Sequence, residues 1–375
     1  MITYCFKAYN SKKNKNLHNL INIACLIYNH CIALHKRYYR RYKKCLNIYK
    51  LQKHLTKIKK TSKFSHFNLL GSQSIQDITQ RIIDRAYKLF FKNRKNKKRC
   101  SPPSFKKVKK YKSFTLKQAG YKILENNYLV IDDKIYRYFK SREIIGKIKT
   151  LTIKRNSLDD IYFYFVCESN TSQIEARTGK SVGIDLGFKT FITLSTGEKI
   201  ESPEFFKKSL HKLKQLNRNL SRKVKGSNNY NRAKIFLARF HKKISDKRNN
   251  FHWETARNLA LKYPLISCED LCIKSYQRRY GRKTSDLGMS DFLKILNHSC
   301  EKLGSHLVQV DKYYASSQLC NHCGYKNPLL KDVRIREWTC PVCGIHHDRD
   351  INAGINIDRE GNRLFSKLKA KQERE

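Results

Sequence analysis

The chain has 375 residues, enough for two or three domains, and 40% of them are hydrophobic, which excludes a disordered polymer. Eighty Lys and Arg against 30 Asp and Glu give a formal charge of +50, an excess that repels itself unless a polyanion, usually nucleic acid, screens it. No run of about 18 apolar residues and no long apolar leader is visible, so no membrane partner is expected and the compartment is expected to be intracellular.

Residues 1–10 read as a short strand. From Leu17, apolar residues at helical spacing (Leu20, Ile21, Ala24, Ile27, Tyr28, Cys31, Leu34) predict a helix that runs into the basic-aromatic stretch 35–44. A second helix is expected from Ile75 to Phe91, after the Gly71-Ser72 break, with Ser74 available as its cap. Residues 92–112 hold eleven Lys or Arg and no acid, and Pro102-Pro103 precludes a helix there. In so basic a chain this reads as a phosphate-contacting loop more than as a solvated linker. Short alternating runs follow from Lys112 to about Ser169, including Tyr128–Ile131, Leu151–Ile153 and Ile161–Val166. They predict a small antiparallel sheet or barrel that the strand at 2–8 could complete.

Beyond residue 180 the pattern becomes α/β. Val182–Gly187 and Thr190–Ser195 read as a strand pair, with Thr196-Gly197 turning into Lys199-Ile200. A long basic helical stretch from about 204 to 263 breaks at Gly226–Asn229. Leu265–Glu269 reads as a buried strand, 286–303 as a helix and His306–Val310 as a strand.

Three acids stand out by position. Asp185 follows an apolar strand between Gly183 and Gly187, where backbone can approach a ligand. Glu269 ends a second strand, and Asp350 precedes what looks like a helix start. Singly, each could be a turn former or a helix cap. Together, in a strongly cationic protein, they predict a cluster bridged by magnesium or manganese and a two-metal phosphodiester hydrolysis. Of thirteen cysteines, nine (Cys5, Cys25, Cys31, Cys45, Cys100, Cys167, Cys268, Cys272, Cys300) lack paired spacing and read as reduced thiols. Cys320, Cys323, Cys340 and Cys343 form two C-x-x-C pairs sixteen residues apart, each followed by glycine, which predicts a closed structural zinc site. His322, His346 and His347 stand nearby as alternative ligands, a phosphate-facing pair or packing residues.

In order, Gly183-Ile184-Asp185-Leu186-Gly187, Glu269-Asp270-Leu271, the two cysteine knuckles and His347-Asp348-Arg349-Asp350-Ile351-Asn352-Ala353 resemble the TnpB proteins of insertion sequences, whose core also occurs in compact type V CRISPR effectors. Residues 239–251 resemble the family's basic helix, and Ser316–Cys320 resembles the lead-in to its first knuckle. Tyr28-Asn29 and Ser104-Phe105-Lys106 resemble weaker N-terminal signatures. Trp253-Glu254, Ala315 and Gly354 depart from the family pattern.

The resemblance implies an α+β multidomain fold. An oligonucleotide-binding β-barrel (1–10 and 105–175) carries a helical recognition insertion (11–104). A RuvC-type, RNase-H-like α/β nuclease domain (180–315 and 345–360) carries an inserted zinc ribbon (316–344), and 361–375 form a basic tail. It implies a catalytic, magnesium-binding triad of Asp185, Glu269 and Asp350, with Asp348 as the fallback for the third acid. It also implies RNA-guided DNA cleavage beside a short motif, with guide RNA and target DNA as partners. A catalytically idle RNA-guided repressor and a guide-independent transposase are the rivals. A structural RNA-binding protein would explain the charge but not the placed acids. The compartment would be the nucleoid-associated cytoplasm in a prokaryote or the nucleus in a eukaryote; the oligomeric state stays open.

Overall fold

In a computed structural model, which describes residues 1–117, 119–168, 179–271, 278, 281, 284, 286–332 and 334–372, the chain divides into two compact units, Met1–Thr171 and Ser172–Glu375. Cys272 and the stretch 169–175 assigned to the end of the barrel lie outside the described residues.

The first unit begins with strand β1 (Ile2–Lys7) and the 29-residue helix α1 (Asn14–Tyr42). α1 is long and apolar enough to cross a membrane by length and composition, contrary to the sequence expectation. More than half of its most apolar stretch is nevertheless buried, because Leu17, Leu20, Ile21, Ala24, Ile27 and Cys31 form the predicted stripe and enter the core. Helices α2 (Ile48–Ile58), α3 (Ser72–Asp77) and α4 (Arg85–Lys95) follow, the last two joined by a π-helical stretch, Ile78–Asp84. Ser74 does not cap a helix; it is buried and donates to the Thr115 carbonyl at 3.0 Å.

Six strands complete this unit: β2 (Ser113–Leu116), β3 (Tyr121–Leu124), β4 (Tyr128–Ile131), β5 (Lys134–Arg137), β6 (Ile148–Arg155) and β7 (Ile161–Cys167). One antiparallel sheet has the order β1-β7-β6-β2 and the other β3-β4-β5. Backbone bonds from Tyr9 N to the Arg137 carbonyl and from Phe139 N to the Lys7 carbonyl stitch the end of β1 to the end of β5. The β3–β4 turn works because Asn126 and Asn127 both adopt positive φ, which asparagine tolerates and the hairpin twist demands.

The two weak N-terminal signatures are halves of one contact. Tyr28 donates to the Ser104 carbonyl at 3.0 Å, while Asn29 exchanges two hydrogen bonds with the Lys106 backbone. Lys106 also lies over the rings of Tyr28 and Tyr111. The backbone of residues 104–106 is therefore docked on α1, while Lys106, Lys107, Lys109 and Lys110 stay exposed along with the cations of 92–99.

The second unit has a five-stranded sheet of order β10-β9-β8-β11-β12. Its members are β8 (Val182–Leu186), β9 (Thr190–Leu194), β10 (Lys199–Glu201), β11 (Leu265–Glu269) and β12 (His306–Val310). The first three pair antiparallel, whereas β11 runs parallel to both β8 and β12. Helices α5 (Phe205–Ser221) and α6 (Asn228–Lys262) form the basic hairpin; Ser227 caps α6 by accepting from Tyr230 N. Helix α7 (Met289–Leu303) precedes β12, and a small hairpin, β13 (Glu337–Thr339) with β14 (His346–Asp348), leads without a break into α8 (Arg349–Gln372). Residues 361–372 thus continue α8 and are not a separate tail.

Glycines bring α8 onto the sheet. A Cβ on Gly183 would lie 2.0 Å from the Gly354 carbonyl oxygen, and one on Gly361 would lie 1.9 Å from Ser267 Oγ. Gly183 was expected to let backbone approach a ligand; it makes room for the chain's own helix instead.

Candidate functional site

Asp185 and Glu269 follow directly on Ile184 and Cys268, which are partners across parallel strands β8 and β11. The two carboxylates therefore leave the carboxyl ends of adjacent strands, where the backbones lie about 4.8 Å apart. Asp350 comes from the second residue of α8, the helix that crosses both strands.

Asp185 feels the other two acids. The Asp185 carboxyl is pushed up to about 7, first by burial, then by the charges of Glu269 and Asp350, against the opposing pull of Arg349 and Arg336. Burial raises Glu269 as well, while a 2.6 Å hydrogen bond donated by Ser316 Oγ partly offsets it. Arg336 Nη1 donates to both Asp350 oxygens, at 3.1 and 3.3 Å. Carboxylates that make each other costly to ionise form a donor set that divalent cations relieve, and their hard oxygens suit magnesium or manganese. The donor chemistry suits such ions.

Asp348, the fallback, has a different task. Its Oδ1 accepts from the backbone N–H groups of Asp350 and Ile351, capping α8, and its Oδ2 meets Lys199 at 2.7 Å. The helix cap foreseen for Asp350 is Asp348.

The four thiols converge without any of the carboxylates. Their sulfurs all lie within 4.8 Å of one another, with Cys320–Cys343 at 3.7 Å and Cys323–Cys340 at 3.6 Å. A tetrahedron with metal–sulfur bonds of about 2.3 Å has edges of about 3.8 Å, so the thiols fit a zinc ion. Both knuckles use the same backbone device. Gly324 N donates to the Cys320 carbonyl and Gly344 N to that of Cys340, and both glycines need positive φ (+76° and +72°). Among the described residues this is the single group of three or more potential ligands drawn so close. His347 is buried against the Trp338 ring with Nε2 3.1 Å from Cys320 Sγ, so it faces the thiols and not phosphate; His346 is exposed.

Thiol group and carboxylates are mechanically linked. Buried Asn352 and Asn356 on α8 both donate to the Leu319 carbonyl, and Asn352 accepts from Asn321 N. Arg349 reaches the carbonyls of Asp332 and Ile335 between the knuckles. Sequence reasoning missed the roles of Ser316 and Arg336. Ser316 at least lies inside a quoted motif, but nothing in the spacer between the knuckles marks Arg336.

Residues 164–279 match the OrfB_IS605 family model, described as "Probable transposase", and residues 290–357 match the Cas12f1-like TNB domain. A protein of Streptomyces pristinaespiralis, provisionally named an RNA-guided DNA endonuclease, is 30% identical over 309 residues, covering 81% of this chain and 75% of its own. The chain belongs to the TnpB family. Another TnpB relative, Escherichia coli InsQ, provisionally named likewise, is 28% identical over 315 residues, 78% of this chain and 74% of InsQ. Among solved structures, Cas12f1 in complex with sgRNA and target DNA shares the fold of this TnpB chain. Its TM-score is 0.57 at 14% identity, covering 93% of this chain and 83% of that one.

Proposed function

We propose that this chain is an RNA-guided DNA endonuclease that hydrolyses phosphodiester bonds with two divalent cations held by Asp185, Glu269 and Asp350. The observation that carries the reading is the placement of three carboxylates, two at the ends of adjacent parallel strands and one at the start of the helix that crosses them, with the charges of Glu269 and Asp350 acting on buried Asp185. Bound magnesium or manganese would supply Lewis acidity toward the scissile phosphate and an activated water. The protein's own part is positional. Asp185, Glu269 and Asp350 offer anionic oxygens from three rigid elements, and Ser316 aims Glu269 and favours its ionised form. Asp348 fixes the start of α8, and with it the place of Asp350.

The domain reading follows the same lines. Three antiparallel strands beside two parallel ones, crossed by α8, support an RNase-H-like nuclease domain over 180–315 and 345–360. The four thiols support a structural zinc ribbon at 316–344. The linked sheets of the first unit support an oligonucleotide-binding barrel from 1–10 and 105–175, with 11–104 as a helical insertion. Base pairing by a guide RNA would read the target, while the protein reads duplex shape and a short adjacent motif. Exposed Lys36, Arg37, Arg40, Arg41 and the cations of 92–99 are suited to backbone contacts.

The test is co-expression with flanking DNA, sequencing of any bound RNA, and assay of the complex on a randomised-flank library with magnesium. A discrete RNA and cleavage beside one motif, lost in Asp185→Ala with RNA still bound, is the expected result. Bound RNA without cleavage favours the idle repressor; strand joining without RNA favours a transposase.

A further inference from the structure

The outer face of the β3-β4-β5 sheet carries an uncovered ladder of rings and one guanidinium. Side chains alternate across these strands: Leu129, Ile131, Tyr136 and Tyr138 point inward and are buried, while Tyr128, Arg137 and Phe139 point outward. Tyr128 and Arg137 are direct cross-strand partners. The Arg137 guanidinium lies 4.8 Å from the Tyr9 ring centroid and 5.9 Å from that of Tyr128. Tyr9 in turn stacks on Phe139, centroids 3.7 Å apart and planes 17° from parallel. The order is ring, cation, ring, ring, and the last ring, Phe139, is 49% exposed.

One feature separates this ladder from ordinary surface packing. A stacked pair normally hides its apolar area, yet Phe139 and the flanking Leu124 and Ile135 all remain exposed. The Arg137 guanidinium has the Tyr9 and Tyr128 rings as its neighbours, and no carboxylate among the described residues pairs with it. A guanidinium beside aromatic rings can still meet a phosphate or a base edge with its N–H groups. An open aromatic face beside it is what an unpaired base stacks on.

We propose that this face is a stacking platform for unpaired bases of an RNA strand, with Phe139 as the outer ring and Arg137 as the polar contact. The proposal rests on the reading that RNA is this chain's partner. RNA fits this face because RNA loops and ends, whose bases are splayed out, are recognised by stacking on aromatic rings and arginine planes. The cation of the ladder and the net charge of +50 both suit a polyanion.

The experiment is titration of the full chain with two RNA probes, the co-purified RNA and a mixed-sequence single strand of about 16 nucleotides, the upper end of the span one such barrel covers. A single-stranded DNA of the same sequence is the control. The short RNA keeps the test available if no guide co-purifies, so failure of the guided-nuclease reading and failure of the platform are separable. Phe139→Ala should weaken RNA binding about five- to a hundredfold with the salt slope unchanged, because stacking displaces no counterions. Phe139→Leu, which keeps apolar bulk, should fail likewise, and Phe139→Tyr should bind as the parent does. Arg137→Gln should lower the slope by about one. Photocrosslinking with 5-iodouridine RNA should map to Tyr9 or Phe139. Unchanged binding by Phe139→Ala and Phe139→Leu, or weakening confined to the DNA probe, overturns the proposal.

Discussion

At the residue scale, the site's electrostatics make three checkable statements. The Asp185 pKa, about 7 in the folded metal-free chain, lies above its unfolded value, so the folded state binds the proton more tightly. That contribution is fully present below about pH 4 and is lost as pH rises through about 7. With metal chelated, the parent should therefore lose thermal stability relative to Asp185→Asn between pH 5 and pH 7.5. The same variant should cleave about a thousandfold more slowly, the scale of several kcal/mol of lost charge stabilisation. Ser316→Ala removes the hydrogen bond that favours ionised Glu269, and about tenfold slower cleavage is expected at neutral pH. Raising the pH should shrink that defect; a defect equal at pH 6.5 and 8.5 speaks against the role. Arg336 occupies both Asp350 oxygens, so Arg336→Gln should bind manganese several-fold more tightly by calorimetry, and weaker binding would refute the competition.

At the scale of elements, the question is what holds α8 where Asp350 meets the strand ends. Close approach answers it on one side. Gly361→Ala would gain about 1 kcal/mol of helix propensity, but its Cβ would sit 1.9 Å from the Oγ of fully buried Ser267. Overpacking typically costs about 1–3 kcal/mol, so a net loss of thermal stability is expected, with partial recovery in the double variant Gly361→Ala/Ser267→Gly. On the other side, the thiol group anchors the start of α8 through Asn352, Asn356 and Arg349. Removing zinc with a strong chelator should abolish cleavage while the sheet's circular dichroism persists. Activity should return only when zinc is restored along with magnesium; full recovery with magnesium alone would refute the anchoring role of the thiol site.

At the scale of the molecule, the charge of +50 sets the terms of any partnership. Affinity for nucleic acid should fall linearly in log–log form with salt. Neutralising Lys92, Arg94 and Lys95, all exposed, should lower the slope by about 2, equally for every sequence. An unchanged slope would move the contact elsewhere. Lys106 predicts a contrast: Lys106→Ala should act on stability, since its ammonium lies over the Tyr28 and Tyr111 rings, while the backbone bonds to Asn29 survive the substitution.

The periodicity of α1, the alternation of β4 and β7, and the apolar runs of β8, β11 and β12 were legible because burial pattern follows directly from side-chain period. Cysteine spacing was legible because a knuckle is a local object whose turn needs glycine at a fixed offset. Asp185 and Glu269 were legible as acids ending apolar strands. Other features depended on groups distant in the chain. That Ser74 bonds Thr115 and that Gly183 yields to a helix some 170 residues later were settled only by tertiary packing. Arg336 reaches Asp350 because the β13–β14 hairpin folds it back, and Arg137 lies between Tyr9 and Tyr128 because β1 meets β5. The strongly periodic elements and the donor chemistry could be read along the chain because they are local, whereas α2, β3, β5 and the π-helical break at Ile78–Asp84 could not. Tertiary structure alone decided which donors share a charge, because Coulomb coupling depends on distance in space and not along the chain.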